Sequence, residues 1–402
     1  MTQVQLGFVL NDIKEALPQE LVFPSKIGGR PVWLRPDQPL PSEKVSCGVC
    51  KNPLRFLLQM YTPEDEPAEA YHRMLYVFVC ENNLCHQESR LKCIKVFRSQ
   101  LPKENKYYSI DREQSPSTEE GVDEDDIVWK LNSSIIPDHY KCPICGLHGN
   151  KQCSKCKRVK YCSRAHQLEH WGNGHKTQCT VLATQPDTPN FPIDKLTLGR
   201  FAYPEHYLVS EPEMTEEEMK EAEEKTIKDT LDRFRVEEEA EMEANKTALV
   251  KPGEEEYENT ETGVDKTFLK FQKRVEYDSG QVLRYVRTFY DEDDTEVFDE
   301  NSEPLWVSDI NQLSADEIPT CPNCSEPRKF ELQLLPQILN YLNLDFTMDR
   351  SLDFGTLLVY SCNKNCSSTE AGEEAYQEEF VWEQPFSADG IGENIRKNHF
   401  NM

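Results

Sequence analysis

The chain has 402 residues, 29% of them charged, and a formal net charge of −27 at pH 7; that length accommodates two or three domains. Its longest apolar run, Met74–Cys80, is far too short to cross a bilayer. An isoelectric point near 4.8 argues against direct nucleic-acid binding and for a basic protein partner.

The opening MTQVQLGFVL lacks the basic flank and long apolar core of a signal peptide. The fifteen cysteines therefore read as reduced thiols and metal ligands in a cytoplasmic and nuclear chain. Within residues 1–35, the runs VQLGFVL and LVFPSKIGGRPVWLRP predict strands joined by tight turns. Gly28 and Gly29 are read as a turn rather than a phosphate loop, because no helix start and no Lys or Ser follows them. Cys47-x-x-Cys50 then precedes RFLLQMY, and MLYVFV leads into Cys80-x4-Cys85. Phe56, Leu58 and Met60 alternate with Arg55, Leu57 and Gln59, the period of a half-buried strand. Cys47, Cys50, Cys80 and Cys85, at the ends of two strands, form a candidate tetrathiolate zinc ribbon. Cys93 is left over as an ordinary buried thiol. Residues 1–110 are read as one domain and 111–140, with the acidic run Glu119–Asp126, as a linker.

Residues 141–180 carry the densest signal. Cys142-x-x-Cys145, Cys153-x-x-Cys156, Cys162-x3-His166 and His175-x3-Cys179 are four pairs of soft ligands. Eight ligands fill two tetrahedral shells with no open position, the pattern of structural rather than catalytic zinc. The residues between the pairs are too few and too polar to bury a core, so metal binding must supply most of the folding free energy, on the order of 10 kcal/mol per ion. The span Lys141–Cys179 is net +7, with eight Lys/Arg against one Glu.

This stretch resembles the MYND zinc finger in its paired knuckles, the Tyr161-Cys162 step, Gln167, Trp171 and the closing His175-x3-Cys179. The resemblance implies interleaved ligands: Cys142, Cys145, Cys162 and His166 on one zinc, and Cys153, Cys156, His175 and Cys179 on the other. It also implies that Gln167 and Trp171 line a groove for proline-containing peptides. His166 stands where most members have Cys, and one extra residue separates Trp171 from His175. His148 and His170 fall outside the pattern and read as solvent-facing.

Residues 181–262 read as a linker, Pro-rich and irregular to 212 and then acidic. Glu211–Glu261 holds twenty Asp/Glu against seven Lys/Arg, net −13. Thr215 and Glu218 form a capping box, and Ile227, Leu231 and Phe234 follow at helical spacing. The segment is partly helical or disordered, and reads equally as a solubilising linker or an interaction surface.

Residues 263–390 echo the beginning. Cys321-x-x-Cys324 is followed by Pro327, Phe330, Leu332 and Gln333 at the offsets that Pro53, Phe56, Leu58 and Gln59 keep from Cys50; Cys47–Met60 and Cys321–Leu334 share six identities in fourteen positions. Trp33 and Trp306 precede their knuckles by fourteen and fifteen residues. LLVYS runs into Cys362-x3-Cys366, which makes Cys321, Cys324, Cys362 and Cys366 a second outer metal candidate, and a short helix is expected near PQILNYLN. The fold class expected is α+β and strand-rich: a duplicated β-rich unit with the finger inserted between its copies. The finger is expected to be dispensable for folding of those copies, which should offer strand edges or a cleft to an extended client.

Together, LGFV, FPSKIGGRPVWL, CGVC with FLLQMY, the finger, QVLRY, PLWVSD, CPNC with FELQLLPQILNYL, and EEFVW resemble the programmed cell death protein 2 family. The resemblance implies a dedicated chaperone for a newly made small-subunit ribosomal protein, S-two, that supports small-subunit assembly. The alternative is a nuclear adaptor whose finger recruits transcriptional corepressors. MYND fingers also accompany lysine methyltransferases, but there is no Gly-rich cofactor loop, and Asn398-His399 is the one Asn-His pair. The chain reads as non-catalytic.

Overall fold

The computed structural model describes residues 4–12, 21–111, 127–135, 140–184, 201–215, 218–220, 225, 265–286, 303–348, 350–367 and 375–386. Ten strands close into a barrel. The N-terminal part supplies β1 (Val4–Val9), β2 (Lys26–Ile27), β3 (Arg55–Tyr61), β4 (His72–Val79) and β5 (Ile94–Leu101). Two small ladders follow, β6 (Tyr108–Ile110) with β7 (Trp129–Leu131), and β8 (Lys151–Gln152) with β9 (Lys160–Tyr161). The barrel is completed by β10 (His206–Pro212), β11 (Gln281–Val286), β12 (Arg328–Leu334), β13 (Thr356–Cys362) and β14 (Gln377–Gln384). Spatial order is β1-β10-β2-β3-β4-β5-β14-β13-β12-β11, closing on β1.

The ladders β2-β3-β4-β5 and β11-β12-β13-β14 share their irregularities. Register slips between Phe56 and Leu58 in one and between Phe330 and Leu332 in the other. Buried Gln59 faces Lys26, and buried Gln333 faces Arg284. The outermost strands are crossed over: β1 pairs with β11, β10 pairs with β2, and β1 and β10 pair with each other. On the far side of the ring the ladders meet at a short seam, β5 against β14, with three residue pairs from Arg98↔Gln377 to Val96↔Glu379.

One apolar cluster, including Leu58, Val77, Val96, Leu208, Leu283, Leu332, Val359 and Val381, draws on nine of the ten strands and fills the interior. A second, rich in aromatics, joins the outer face of β3–β5 to the finger through Trp33, Phe56, Tyr76, Phe78, Ile144, Leu147 and Tyr161. β3 is therefore buried on both faces rather than half-buried. The slip at Leu57 also turns Phe56 to the outer cluster, while Leu58 and Met60 face inward.

Four expectations change. Closure gives every barrel strand a neighbour on each side, so no strand presents a whole free edge to an added client strand. The region to 212 is not wholly irregular: His206–Pro212 is β10, hidden because only Leu208 of its core residues is buried and prolines flank it. The finger is packed on the barrel rather than standing apart from it, since one continuous apolar cluster spans both. Trp33, within a run expected to form strands, lies in a loop.

The short helix near PQILNYLN is a 3-10 helix over Pro336–Tyr341. Thr215 and Glu218 make the reciprocal bonds of a capping box, Glu218 N to Thr215 Oγ1 at 3.2 Å and Thr215 N to Glu218 Oε2 at 2.7 Å. Ile227, Leu231, Phe234 and Glu119–Asp126 lie outside the described residues. Among the described residues no helix is long and apolar enough to cross a membrane.

Candidate metal centres and the finger–barrel junction

Each Cys-x-x-Cys knuckle is a tight loop closed on itself. In the finger, Gly146 N donates to Cys142 O at 2.8 Å and Lys157 N to Cys153 O at 2.9 Å. β8 and β9 carry the chain to α1 of the finger (Arg164–His170), whose N-cap Ser163 accepts from His166 N at 3.2 Å. This cap starts the helix so that Cys162 and His166 lie one turn apart. The extra residue after Trp171 is absorbed in a widened turn, with Gly174 at φ +134°, before α2 (Lys176–Thr184) presents Cys179.

Four donor sets result, each with its donor atoms within 4.8 Å of one another: Cys142, Cys145, Cys162 and His166; Cys153, Cys156, His175 and Cys179; Cys47, Cys50, Cys80 and Cys85; and Cys321, Cys324, Cys362 and Cys366. Tetrahedral zinc with Zn–S near 2.3 Å sets sulfurs about 3.8 Å apart. Cys145–Cys162 is 3.5 Å, Cys153–Cys179 3.7 Å, Cys50–Cys80 3.9 Å and Cys362–Cys366 3.7 Å. All four sets fit the ion. Each finger set has four donors, the closed shell of a structural zinc site.

In each donor set the first cysteine of a knuckle is drawn toward the thiolate, Cys47, Cys142, Cys153 and Cys321, while burial and neighbouring sulfurs hold Cys80, Cys85, Cys145, Cys179, Cys362 and Cys366 toward the neutral thiol. Burial opposes ionisation of Cys47 and Cys321, but backbone N–H groups two and three residues on outweigh it and bring both thiols to about 7. Burial also opposes a charged His166, yet the Cys142 and Cys162 sulfurs raise it to about 10.

His170 is buried rather than solvent-facing. Its Nδ1 lies 3.0 Å from Tyr161 Oη and its ring stacks on His175 at 5.1 Å, so it packs the small core beside a ligand. Burial lowers its pKa to about 4, leaving it neutral. His148 is half-buried, stacked against Tyr140. Neither belongs to a donor set. Cys93 is fully buried, its Sγ 3.8 Å from Cys47 and 3.3 Å from Ser89 O. Gln167 and Trp171 are both half-buried on one stretch of the finger, with Trp171 edge-on to His175 at 5.9 Å.

The finger is docked on the barrel side by polar contacts. Trp33 Nε1 donates to Gly146 O at 2.7 Å, Arg30 Nη1 to Pro143 O at 2.8 Å, and His148 N to Leu40 O at 3.0 Å. Gly146 has φ +76°, and an added Cβ would lie 3.0 Å from Pro31 Cδ, so glycine lets the finger approach the barrel closely there. Beside this contact is a cavity of about 810 Å³ lined by Lys26, Arg30, Arg55, Lys141, Tyr203 and Glu205.

Spacing did not point to the ion pairs joining the two ladders. Arg73 Nη2 meets Glu331 Oε2 at 2.7 Å, and Arg98 Nε meets Glu379 Oε1 at 2.8 Å. His86 Nδ1 meets Glu383 Oε2 at 2.5 Å. Their partners are 258 to 297 residues away, and the one local clue was His86 directly after a ligand cysteine.

Residues 3–115 match the programmed cell death protein 2 N-terminal domain, 265–385 its C-terminal putative domain, and 142–179 the MYND finger. Over 390 residues the chain is 34% identical to programmed cell death protein 2 of Bos taurus, covering 94% of this chain and 96% of that one. It is 26% identical over 349 residues to programmed cell death protein 2-like of Mus musculus, 85% of each chain. It is 23% identical over 406 residues to the probable 20S rRNA accumulation protein 4 of Schizosaccharomyces pombe, 91% of this chain and 93% of that one. No solved structure matches. With two domain matches flanking a finger match, and relatives aligned nearly end to end, the chain belongs to the programmed cell death protein 2 family.

Proposed function

We propose that this protein is a non-catalytic chaperone for a newly made small-subunit ribosomal protein, S-two, and acts in small-subunit biogenesis in the cytoplasm and nucleus. The observation that carries this is the fission-yeast relative, named for 20S rRNA accumulation and aligned over 91% of this chain. Physical chemistry supports it. A ribosomal protein without its RNA is strongly basic, and an acidic partner neutralises that charge while shielding apolar surface. The finger, net +7, repels such a client at close range; the rest of the chain carries −34, that is −27 minus +7. The cationic cavity is equally unsuited to it.

Within this reading the finger holds two zinc ions and acts as a structural cap. The two ladders, with their matched slips and matched glutamines, are two copies of one unit. The client lies along the acidic exterior rather than on a barrel strand edge. Purification of the tagged chain from cytosol under native conditions tests the proposal. Stoichiometric ribosomal protein supports it. Chromatin regulators without that protein favour instead a corepressor adaptor, with Gln167 and Trp171 taking proline-containing peptides.

A further inference from the structure

We propose that the two outer cysteine quartets are zinc sites in their own right, and that each clamps the seam where the two ladders meet. The first argument is the backbone. In the finger, the residue after each knuckle's second cysteine has positive φ, Gly146 at +76° and Lys157 at +53°. The outer knuckles do the same, with Lys51 at +63° and Ser325 at +65°. Neither is glycine, so each site tolerates about 1 kcal/mol or more of strain to keep the loop. Hydrogen bonding matches as well. Lys51 N donates to Cys47 O at 3.0 Å and Ser325 N to Cys321 O at 2.8 Å, as Gly146 and Lys157 do in the finger. The first cysteine's N–H closes each loop from the other side, Cys47 N to Asn52 O at 2.9 Å and Cys321 N to Glu326 O at 2.8 Å. Four knuckles thus share one conformation, and two of them lie in a finger of known metal type.

The second argument is the donors. Cys321–Cys366 is 3.5 Å, Cys324–Cys362 3.4 Å and Cys50–Cys80 3.9 Å. These distances are too long for disulfides and close to the sulfur spacing around zinc. Ordinary core packing gives no reason for four thiols to converge twice. The four sets use fourteen of the fifteen cysteines and leave Cys93.

The third argument is where the sites lie. The seam has three residue pairs, against eight between β4 and β5, and needs other support. Two carbonyls of the Cys362–Cys366 loop accept from β5: Cys366 O from Arg98 Nη2 at 2.9 Å and Asn365 O from Gln100 Nε2 at 2.8 Å. Glu379 of β14 takes Cys362 N at 3.2 Å and Arg98 Nε at 2.8 Å. From the other ladder, His86 holds Cys80 O through Nε2 at 2.8 Å and Glu383 of β14 through Nδ1. Each metal loop therefore reaches a strand of the opposite ladder. An ion that fixes the loop fixes the seam.

Zinc counting on the intact chain by native mass spectrometry should give four ions; two would overturn the proposal. Cys324→Ser with Cys366→Ser, both half-buried ligands, should remove one ion. Amide exchange in β5 and β14 should then speed up by about tenfold or more, with the finger amides unchanged. Loss of the ion with unchanged exchange at the seam would refute the clamp. If that variant fails to fold, graded chelation of the wild-type chain gives the same readout. Seam exchange must then rise as ions leave and before global unfolding, and a seam that stays protected until the whole chain unfolds refutes it.

Discussion

Replacing Gln59 or Gln333 by leucine should destabilise the protein by similar amounts. Both glutamines are fully buried. Gln59 Oε1 accepts from Val32 N at 2.8 Å and its Nε2 donates to Pro24 O at 2.7 Å. Gln333 Oε1 accepts from Leu305 N at 3.0 Å and its Nε2 donates to Leu305 O at 2.6 Å. Gln59 thus holds Val32, just before Trp33, to Pro24, while Gln333 holds both backbone groups of Leu305, just before Trp306. Leucine has nearly the same volume, so the cavity contribution is small and the main loss is that of two buried backbone groups left without partners, although Gln333 also meets Thr356 Oγ1 at 3.0 Å and Arg284 Nη1 at 3.4 Å. At about 1–3 kcal/mol per group, each variant should lose roughly 2–6 kcal/mol. Urea denaturation at fixed zinc, followed by intrinsic fluorescence, measures both. If one variant loses several kcal/mol and the other stays within about 0.5 kcal/mol of wild type, the two positions are not equivalent. The two-copy reading would then fail.

Other outcomes follow from single contacts. Arg73→Met should cost about 3–5 kcal/mol by leaving Glu331 buried and unpaired, while Arg73→Met with Glu331→Leu should recover most of it; a fully additive double variant would contradict the pairing. His72 is fully buried and burial, helped by Lys103, lowers its pKa to about 4. Its folded pKa lies below its unfolded one, so its contribution is complete above about pH 6.5 and is lost as pH falls toward 4. The loss is about 1.4 kcal/mol by pH 5.5. His72→Phe should flatten that part of the stability profile, and an unchanged slope would contradict the assignment. Cys153→Ser should leave one zinc fewer and speed amide exchange throughout the finger; full zinc content with unchanged exchange would remove Cys153 from the ligands.

The metal knuckles were legible because ligand chemistry demands fixed local spacing; the finger donors converge in the interleaved sets that the MYND resemblance implied, and both outer quartets converge as well. The strand pairs flanking the outer knuckles were legible from alternation and from the echo between Cys47–Met60 and Cys321–Leu334. Barrel closure was not. It depends on β10, a strand with one buried core residue, and on a crossover of β1 and β10 that no local pattern encodes. Register slips at Leu57 and Glu331 also leave no mark in composition, although they decide which face Phe56 occupies. Arg73, Arg98 and Arg284 look like surface residues in the sequence. They are buried because carboxylates from distant segments neutralise them. His170 looked free because nothing in its neighbourhood predicts the packing of Tyr161 against it.

The central claim is that an acidic, zinc-built barrel holds a basic ribosomal protein. Its direct test is co-expression of this chain with ribosomal protein S-two and measurement of the soluble complex at low and high salt. The account predicts a stoichiometric complex that weakens as salt screens attraction beyond about 8–10 Å, yet persists because shielded apolar surface is not screened. Ribosomal protein that stays insoluble beside a folded, zinc-loaded chain would contradict it.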